Sequence, residues 1–529
     1  MNEYEELYNI KKNLELNINK SKVFDLSIRE AVIVIFEKLG FFYTLLNTAE
    51  YEKVQEVIKK LVKTNASEIN EISFIQESLK WIIRWCSSNC RSESKINKED
   101  ILADDIYNLM GKAYSYDRFV NMWEMHSQKK VKYNKRGNKI TFDYHQEETY
   151  ITHLLYESYF KEIEQAKNLE KLDVFGKISN ENLIQVMNFA HQIDFNCSFN
   201  IEFDQFNLED YKMFSTALTE ILTKKRLENS IEGNYIIDPR NEGILIYKKE
   251  KWVYEISTQT NLSNKKIGRI IDFFTYDFSN PKSDISLSYF VSLSNEYLLV
   301  SEAVHNLSRP GVNAMRLLAK KRSSNYDSAQ NNFEMEERVS IIESIGNKYL
   351  TSYGIDKSQK NIPGIDLVVY DPEEKHLHII ELKYKIPVES TLDINNLDKM
   401  LNKAYKQVEI AKGLTKDRIG TLLEEYFGEP YIGTEPKKVD YFVLTNYSIG
   451  TGINNITPSP ILLIDHYIEL MKQRNGMELV RTVLNSSDKK LPLEKSKRYS
   501  RFSLSGYKIL IPEYSFMLKQ DHNIELLEN

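Results

Sequence analysis

The spacing of apolar residues changes along the chain of 529 residues and divides it into regions of different structure. Over the first 115 residues, apolar positions recur every three or four residues, which predicts helices such as 28–46. From residue 235 onward, short apolar runs predict strands, among them 243–247 and 252–256. We therefore expect a multidomain α+β protein with a helical N-terminal region and a mixed α/β middle.

Two apolar runs, 367–370 and 377–380, are separated by a charged turn around Pro372, which predicts a β-hairpin. Asp366 stands directly before the first run, and Glu381 stands directly after the second. When the two strands pair, these carboxylates come together at one end of the hairpin. Charges concentrated at one end of two apolar strands are more typical of a site than of a solvated hairpin.

The elements predicted around the hairpin complete a small α/β core. A helix over 333–346 precedes it, and a helix over 401–411 and a buried strand over 439–445 follow it. The apolar stripe expected on the first helix consists of Met335, Val339, Ile342, Ile345 and Tyr349. The order helix, two strands, helix, strand is therefore expected between residues 331 and 450.

The end of the hairpin carries the residue types needed for metal-dependent phosphodiester hydrolysis. Lys383 shares a strand face with Glu381, because side chains alternate between the two faces of a strand. Two carboxylates and a backbone carbonyl, here assigned to Leu382, form a hard oxygen site that suits Mg²⁺ or Mn²⁺. The expected metal ligands are therefore Asp366, Glu381 and Leu382. A lysine beside them can orient a water or stabilise developing charge. The alternative is a purely structural ion pair between Glu381 and Lys383 or Lys385.

The same residues resemble the motif of a known nuclease superfamily. The sequence PGID at 363–366, followed after fourteen residues by ELK at 381–383, resembles the PD-(D/E)xK superfamily, with Gly364 as an insertion. The segment ELKYK at 381–385 is also similar to the D-x-K-Y-K segment of McrC-type restriction nucleases. This resemblance covers residues 331–450 and implies a restriction-endonuclease-like α/β core that cleaves DNA with Mg²⁺ or Mn²⁺.

The resemblance implies further catalytic residues on the two helices beside the hairpin. A glutamate of the preceding helix often joins the metal site in this superfamily, and Glu336 is the first candidate and Glu337 the second. The helix after the hairpin often carries a glutamine, and Gln407 matches that position. A charged solvent face for the two glutamates and an ordinary surface position for the glutamine are the alternatives.

Basic residues offer a local track for the phosphate backbone. The formal net charge of −6 counts against a protein that coats nucleic acid, but a nuclease needs only local positive charge. Arg316, Lys320 and Lys321 end a predicted helix just before the core, and together with Lys385 we expect them to contact DNA. Two other basic groups lie within 129–139 and 489–501, and for each of the three groups a solvated face is the more usual outcome.

Other features of the sequence bear on location and partners. The three cysteines, the acidic start and the lack of a long apolar run indicate a cytoplasmic protein without membrane contact. The chain has no phosphate-binding loop of the form GxxxxGK[ST], so any coupling to nucleotide hydrolysis requires an NTPase or other defence-system subunit. The sequence also leaves a homo-oligomer open.

The patterns together predict four regions. A helical domain is expected at 1–115, a mixed recognition or partner-binding domain at 116–330, the nuclease core at 331–450 and a C-terminal extension at 451–529. The polar segment 323–332 is the expected boundary before the core.

The expected function is that of a metal-dependent DNA endonuclease, and the role in bacterial restriction or anti-phage defence follows only from the resemblance. Two alternatives stay open at this point. One is a nuclease-like subunit that binds nucleic acid or assembles a complex without cutting, and the other is an RNA nuclease.

Overall fold

The computed structural model describes the greater part of the chain. The described residues are 3–48, 51–66, 69–145, 197, 199–232, 243–306, 308–353, 365–386, 391–428, 431, 434–446, 461–485 and 493–518. In the part of the chain so described, no helix is both long enough and apolar enough to cross a membrane.

The helices are labelled α1 to α15 in chain order. They span Glu3–Ile18, Ile28–Thr48, Tyr51–Val62, Glu71–Asn89, Ala103–Ser127, Leu208–Glu232, Lys249–Ser257, Asn264–Phe273, Glu302–Asn306, Pro310–Lys321, Ser323–Ile345, Thr391–Lys412, Lys416–Phe427, Ile464–Lys472 and Gly476–Asn485. Short 3₁₀ helices lie at Lys22–Asp25, Lys98–Asp100 and Gly346–Lys348.

The strands are labelled β1 to β12 in the same way. They span Val131–Arg136, Lys139–Tyr144, Ile244–Lys248, Phe290–Ser292, Tyr297–Ser301, Leu350–Tyr353, Leu367–Asp371, His376–Lys383, Lys438–Thr445, Ile461–Leu463, Leu493–Leu504 and Tyr507–Leu518. The described strands form three sheets, and the coarse prediction of a mixed α+β protein is confirmed.

Helices α1 to α5 lie within the first 127 residues, as the spacing of apolar positions predicts. Helix α2 coincides with the predicted helix 28–46. Helix α5 packs on α4, and the ring of its Tyr116 meets the edges of Trp81 and Trp85. Because α5 continues to Ser127, the boundary expected at residue 115 falls inside a helix.

For the middle region, one predicted strand is confirmed and another is wrong. Strand β3 confirms the prediction at 243–247, and it pairs with β5 in the three-stranded sheet β3-β5-β4. The expected strand at 252–256 is helix α7 instead. Trp252 and Ile256 lie four residues apart and are both buried, while Tyr254 between them is exposed, which is the periodicity of a helix and not of a strand.

The five-stranded sheet is built in the order β10-β9-β8-β7-β6. Strands β6, β7 and β8 are antiparallel neighbours, and β9 and β10 continue the sheet in parallel with β8. The predicted hairpin is confirmed, with Leu367 opposite Ile380. Helices α11 and α14 cover one face of the sheet and α12 and α13 the other, so β8 is buried on both sides.

The polar segment 323–332, the expected boundary before the core, is helical. It is the first part of helix α11, and its buried residues Tyr326, Ala329 and Phe333 recur at helical spacing. The segment is polar because its other faces are exposed.

The expected C-terminal extension belongs to two different sheets. Strand β10 joins the five-stranded sheet, and α14 packs against it. The hairpin of β11 and β12 joins the hairpin of β1 and β2, and the order is β1-β2-β12-β11. Strand β12 pairs in parallel with β2. The end of the described chain therefore completes a sheet that begins in its first third.

Candidate active site

Asp366 is fixed to strand β8 by its backbone and its side chain. Its amide donates a hydrogen bond to the Ile380 carbonyl at 2.8 Å, and its Oδ2 accepts one from the Leu382 amide at 2.9 Å. These two bonds place the carboxylate beside Glu381, as the predicted hairpin requires. Pro363 and Gly364 of the motif lie outside the described residues.

The ammonium group of Lys383 lies among three oxygen atoms. Its Nζ is 2.6 Å from Glu381 Oε1 and 3.5 Å from Asp366 Oδ2, and it donates a hydrogen bond to the Leu382 carbonyl at 2.7 Å. These are the three groups expected to hold a metal ion. Their oxygens thus converge on one cation in the protein as it stands, and the contact between Glu381 and Lys383 is the ion pair expected under the structural alternative.

Asp366, Glu381 and Lys383, which we call the trio, strongly affect one another's pKa values. Only 1% of the Glu381 surface is exposed, and this burial raises its pKa. The Asp366 carboxylate adds to the shift and Lys383 opposes it, and together these effects raise the pKa of Glu381 to about 7. Burial alone would lower the pKa of Lys383, but the carboxylates of Asp366 and Glu381 outweigh it and raise that pKa overall. Lys383 therefore stays charged inside the site.

Helix α11 contributes a glutamate that differs from the two expected ones. Burial raises the pKa of Glu334, Lys383 opposes that shift and Asp366 adds to it. The Tyr384 backbone amide also donates a hydrogen bond to the Glu334 carboxylate. Glu334 is thus close enough to the hairpin to interact with both Asp366 and Lys383.

The expected candidates Glu336 and Glu337 face other groups. Glu336 interacts with the Cys197 thiol, and burial together with Asp465 raises the pKa of Glu337 to about 7. The interaction of Glu334 with Asp366 and Lys383 makes it a further candidate on this helix, and the catalytic roles of Glu336 and Glu337 stay predictions.

The apolar stripe expected on α11 is only partly buried. Met335 is 56% exposed and Val339 is also exposed, whereas Ile341 and Ile345 are buried against the sheet. Extending the stripe of Ile341 back by one and two turns reaches 338 and 334. The two isoleucines four residues apart were the signal for the helix face that carries Glu334.

Arg338 is a site residue that the sequence patterns did not reveal. It lies one turn after Glu334, and its guanidinium nitrogen is 3.1 Å from Asp366 Oδ1. With the Leu382 amide on the other oxygen, both oxygens of the Asp366 carboxylate are oriented by a donor.

Gln407 lies on α12 beside the strand that neighbours the site. The adjacent Val408 packs with Val443, and Val443 is the partner of Glu381 in the pairing of β8 and β9. The Gln407 Oε1 atom is buried and has no hydrogen-bond partner in the described part of the chain. Its catalytic role stays a prediction, and the buried, unpaired oxygen marks it as different from an ordinary surface glutamine.

Three of the four expected DNA-contacting residues lie close to one another. Burial lowers the pKa of Lys385, Asp393 opposes this shift and Arg316 adds to it. Burial also lowers the pKa of Lys320, with Asp284 opposing and Arg84 and Arg316 adding to it. We call Arg84, Arg316, Lys320 and Lys385 the basic cluster.

The basic cluster begins two residues beyond Lys383 on the chain. The Lys385 amide is bonded to Asn446 Oδ1 at 2.8 Å, so the cluster is anchored to the end of the sheet. Lys321 is not part of it, because its Nζ donates to the Phe273 carbonyl and lies over the Phe273 ring.

Two members of the other basic groups are paired with acidic side chains at partly exposed positions. Lys135 lies 2.6 Å from Glu6, and Lys497 lies 3.2 Å from Asp143. Lys130 of the group within 129–139 is instead buried and paired with Asp398.

Comparison of the chain with protein-family models, with curated proteins and with solved structures gives no match. Whatever is inferred about the site therefore comes from its own residues and geometry.

Proposed function

We propose that the chain is a metal-dependent endonuclease that hydrolyses DNA phosphodiester bonds, with a restriction-endonuclease-like core formed by α11, β6 to β9 and α12. The observation that carries the proposal is the convergence of Asp366 Oδ2, Glu381 Oε1 and the Leu382 carbonyl on the Lys383 ammonium. Two carboxylate oxygens and a carbonyl oxygen are hard ligands that suit Mg²⁺ or Mn²⁺.

Asp366, Glu381 and the Leu382 carbonyl would hold the metal ion, and Glu334 is placed to assist them. The bound ion supplies stabilisation of charge on the phosphate and a water of lowered pKa. Arg338 and the Leu382 amide hold the Asp366 carboxylate in one orientation, so this ligand needs little rearrangement.

Lys383 is assigned the task of holding the attacking water or the developing negative charge. Its ammonium remains protonated because two carboxylates surround it, and a charged donor stabilises an anionic transition state more than a neutral one. The basic cluster lies beside this group. We assign to the cluster the binding of the phosphate backbone. Its positive charges repel one another, which lowers the pKa values of Lys320 and Lys385, and a nearby phosphate anion would offset this repulsion.

A plasmid-cleavage assay with Mg²⁺ or Mn²⁺ tests the proposal. The unmodified chain is expected to cut, whereas Glu381→Gln and Lys383→Met are expected to lower the rate by about 100-fold or more. Glu374→Gln is the matched control, because Glu374 is an exposed acid in the turn of the same hairpin. Equal cutting by all four proteins would overturn the proposal, because a contaminant would then be the simpler cause.

The same assay separates the alternatives. Binding of DNA without cutting by the unmodified chain would favour a nuclease-like binding or assembly subunit. Labelled RNA and DNA offered side by side would identify an RNA nuclease.

The proposed biological role is bacterial restriction or anti-phage defence. If cutting is coupled to nucleotide hydrolysis, the proposal includes an NTPase partner, because the sequence contains no phosphate-binding loop. Co-expression of the chain with the products of neighbouring genes, followed by phage infection, tests this role. Equal phage sensitivity with active chain and with Glu381→Gln would contradict it.

A further inference from the structure

Two histidines and an aspartate meet on the face of the sheet opposite to Glu381. His376 and His378 point to one face of β8, because they lie two residues apart on a strand. Asp440 on β9 lies directly opposite His378. The histidines alone have no recognisable ligand spacing in the sequence, and the parallel pairing of β8 with β9 supplies the third residue. We call these three residues the His-Asp cluster.

The ligand atoms of the His-Asp cluster converge on a small volume. His376 Nε2 is 2.6 Å from Asp440 Oδ2, and His378 Nε2 is 3.9 Å from the same oxygen. One ligand atom from each residue lies within 4.8 Å of the other two. Both histidines are buried, and His378 is 0% exposed.

The His378 ring is oriented by a neighbour on one side and lacks a partner on the other. Its Nδ1 is 3.3 Å from the Tyr467 hydroxyl on α14. Its Nε2 is buried and makes no hydrogen bond within the described residues.

The two histidine rings and the carboxylate of Asp440 face one another on a buried face of the sheet. A cation bound between them would give the buried Nε2 atom of His378 a partner. Arg481 is 3.7 Å from Oδ1, the other oxygen of Asp440, and it leaves Oδ2 to the histidines.

We propose that His376, His378 and Asp440 bind one Zn²⁺ ion that joins β8 to β9. Imidazole nitrogens with a carboxylate oxygen are a ligand set that suits zinc, and the Tyr467 hydroxyl on His378 is the kind of outer partner that fixes a ligating ring. The site is separate from the proposed Mg²⁺ site, because alternate residues of β8 point to opposite faces of the sheet. It does not depend on the proposed nuclease activity.

Zinc binding by the purified full-length chain tests this proposal. The chain is stripped of metal with a chelator, and Zn²⁺ is then titrated in competition with a chromophoric chelator. We expect one Zn²⁺ per chain, and we expect His378→Gln and Asp440→Asn to weaken binding by about 100-fold. His126→Gln makes the same change outside the cluster, and Glu381→Gln alters the other metal site. Both are expected to bind zinc like the unmodified chain.

Measurements on the unmodified chain keep the proposal falsifiable if a variant does not fold. X-ray absorption of the zinc-loaded protein is expected to show nitrogen and oxygen ligands with imidazole scattering and no sulfur. Sulfur ligands would assign the zinc to cysteines and overturn the proposal. Absence of stoichiometric zinc binding would also overturn it and would leave a hydrogen-bonded His376–Asp440 pair. Unchanged affinity in a folded His378→Gln variant would equally exclude the site.

Discussion

Lys130, just after helix α5, forms a buried ion pair with Asp398 on helix α12, although 268 residues separate the two in sequence. The side chains are 1% and 4% exposed, respectively. Helix α12 covers the site-bearing face of the five-stranded sheet. The ion pair therefore ties the N-terminal helical region to the helix that lies over the candidate active site.

Removing one partner of this pair is expected to destabilise the fold. Lys130→Met leaves Asp398 charged and buried, which costs about 3–5 kcal/mol for pairs of this kind. Urea unfolding followed by fluorescence measures the change in the free energy of unfolding. The double variant Lys130→Met with Asp398→Leu is expected to recover most of the loss. A single variant as stable as the unmodified chain would show that the pair contributes nothing.

The protonation of Glu337 is expected to make stability fall as pH rises. Its folded-state pKa is raised from 4.5 to about 7, chiefly by burial, so between these values the unfolded chain ionises while the folded one keeps its proton. Glu337→Gln should therefore leave the melting temperature unchanged at pH 4 and raise it at pH 8. The expected gain is up to about 3 kcal/mol, from 1.36 kcal/mol per pKa unit.

Thermal unfolding at the two pH values measures this effect. Glu343→Gln changes an exposed glutamate of the same helix and is the control. An equal shift of the melting temperature at pH 4 and pH 8 would contradict the assignment to Glu337 ionisation.

The two candidate glutamates on α11 can be distinguished by activity. Glu334→Gln is expected to lower DNA cleavage by about 10-fold to 100-fold, because it removes a carboxylate that interacts with both Asp366 and Lys383. Glu336→Gln removes the same charge two residues along the helix and is expected to leave the rate within about 2-fold. Cleavage rates at saturating Mg²⁺ decide between them, and the reverse result would restore Glu336 as the site residue.

The basic cluster is expected to control DNA affinity and its salt dependence. Replacing Arg316, Lys320 or Lys385 by glutamine removes one phosphate contact each. The slope of log affinity against log salt concentration should then fall by about 1. Lys321→Gln is the matched control, because its ammonium is bonded to the Phe273 carbonyl.

Fluorescence anisotropy of labelled DNA across several salt concentrations measures both quantities. Calcium in place of magnesium is used to limit cleavage during the titration. If Lys321→Gln weakened binding as much as the other three variants, the assignment of the cluster would fail.

The trio of the candidate site is predictable because its residues belong to one hairpin. Asp366 and Glu381 are joined by two short strands and a turn, so strand alternation and the turn are enough to bring them together. The orientation of helix α11 is less accessible to such reasoning. Its hydrophobic pattern allows two faces, and the choice depends on packing against a sheet that the local sequence does not specify.

Contacts between residues far apart in the sequence could not be predicted from local patterns. Asp440 joins His378 only through the parallel pairing of β8 and β9, and the intervening helices α12 and α13 separate the two strands in sequence. The wrong strand at 252–256 has a related cause, because five residues are too few to distinguish a buried helical turn from a strand.

The parallel pairing of β12 with β2 has a consequence for biosynthesis. Lys139, Ile140 and Thr141 find their partners only at residues 508–510. While the ribosome makes the intervening chain, this edge of the first hairpin has no strand to pair with, and such an edge is prone to join strands of other nascent chains. Complete assembly of the four-stranded sheet must therefore await synthesis of residues 508–510.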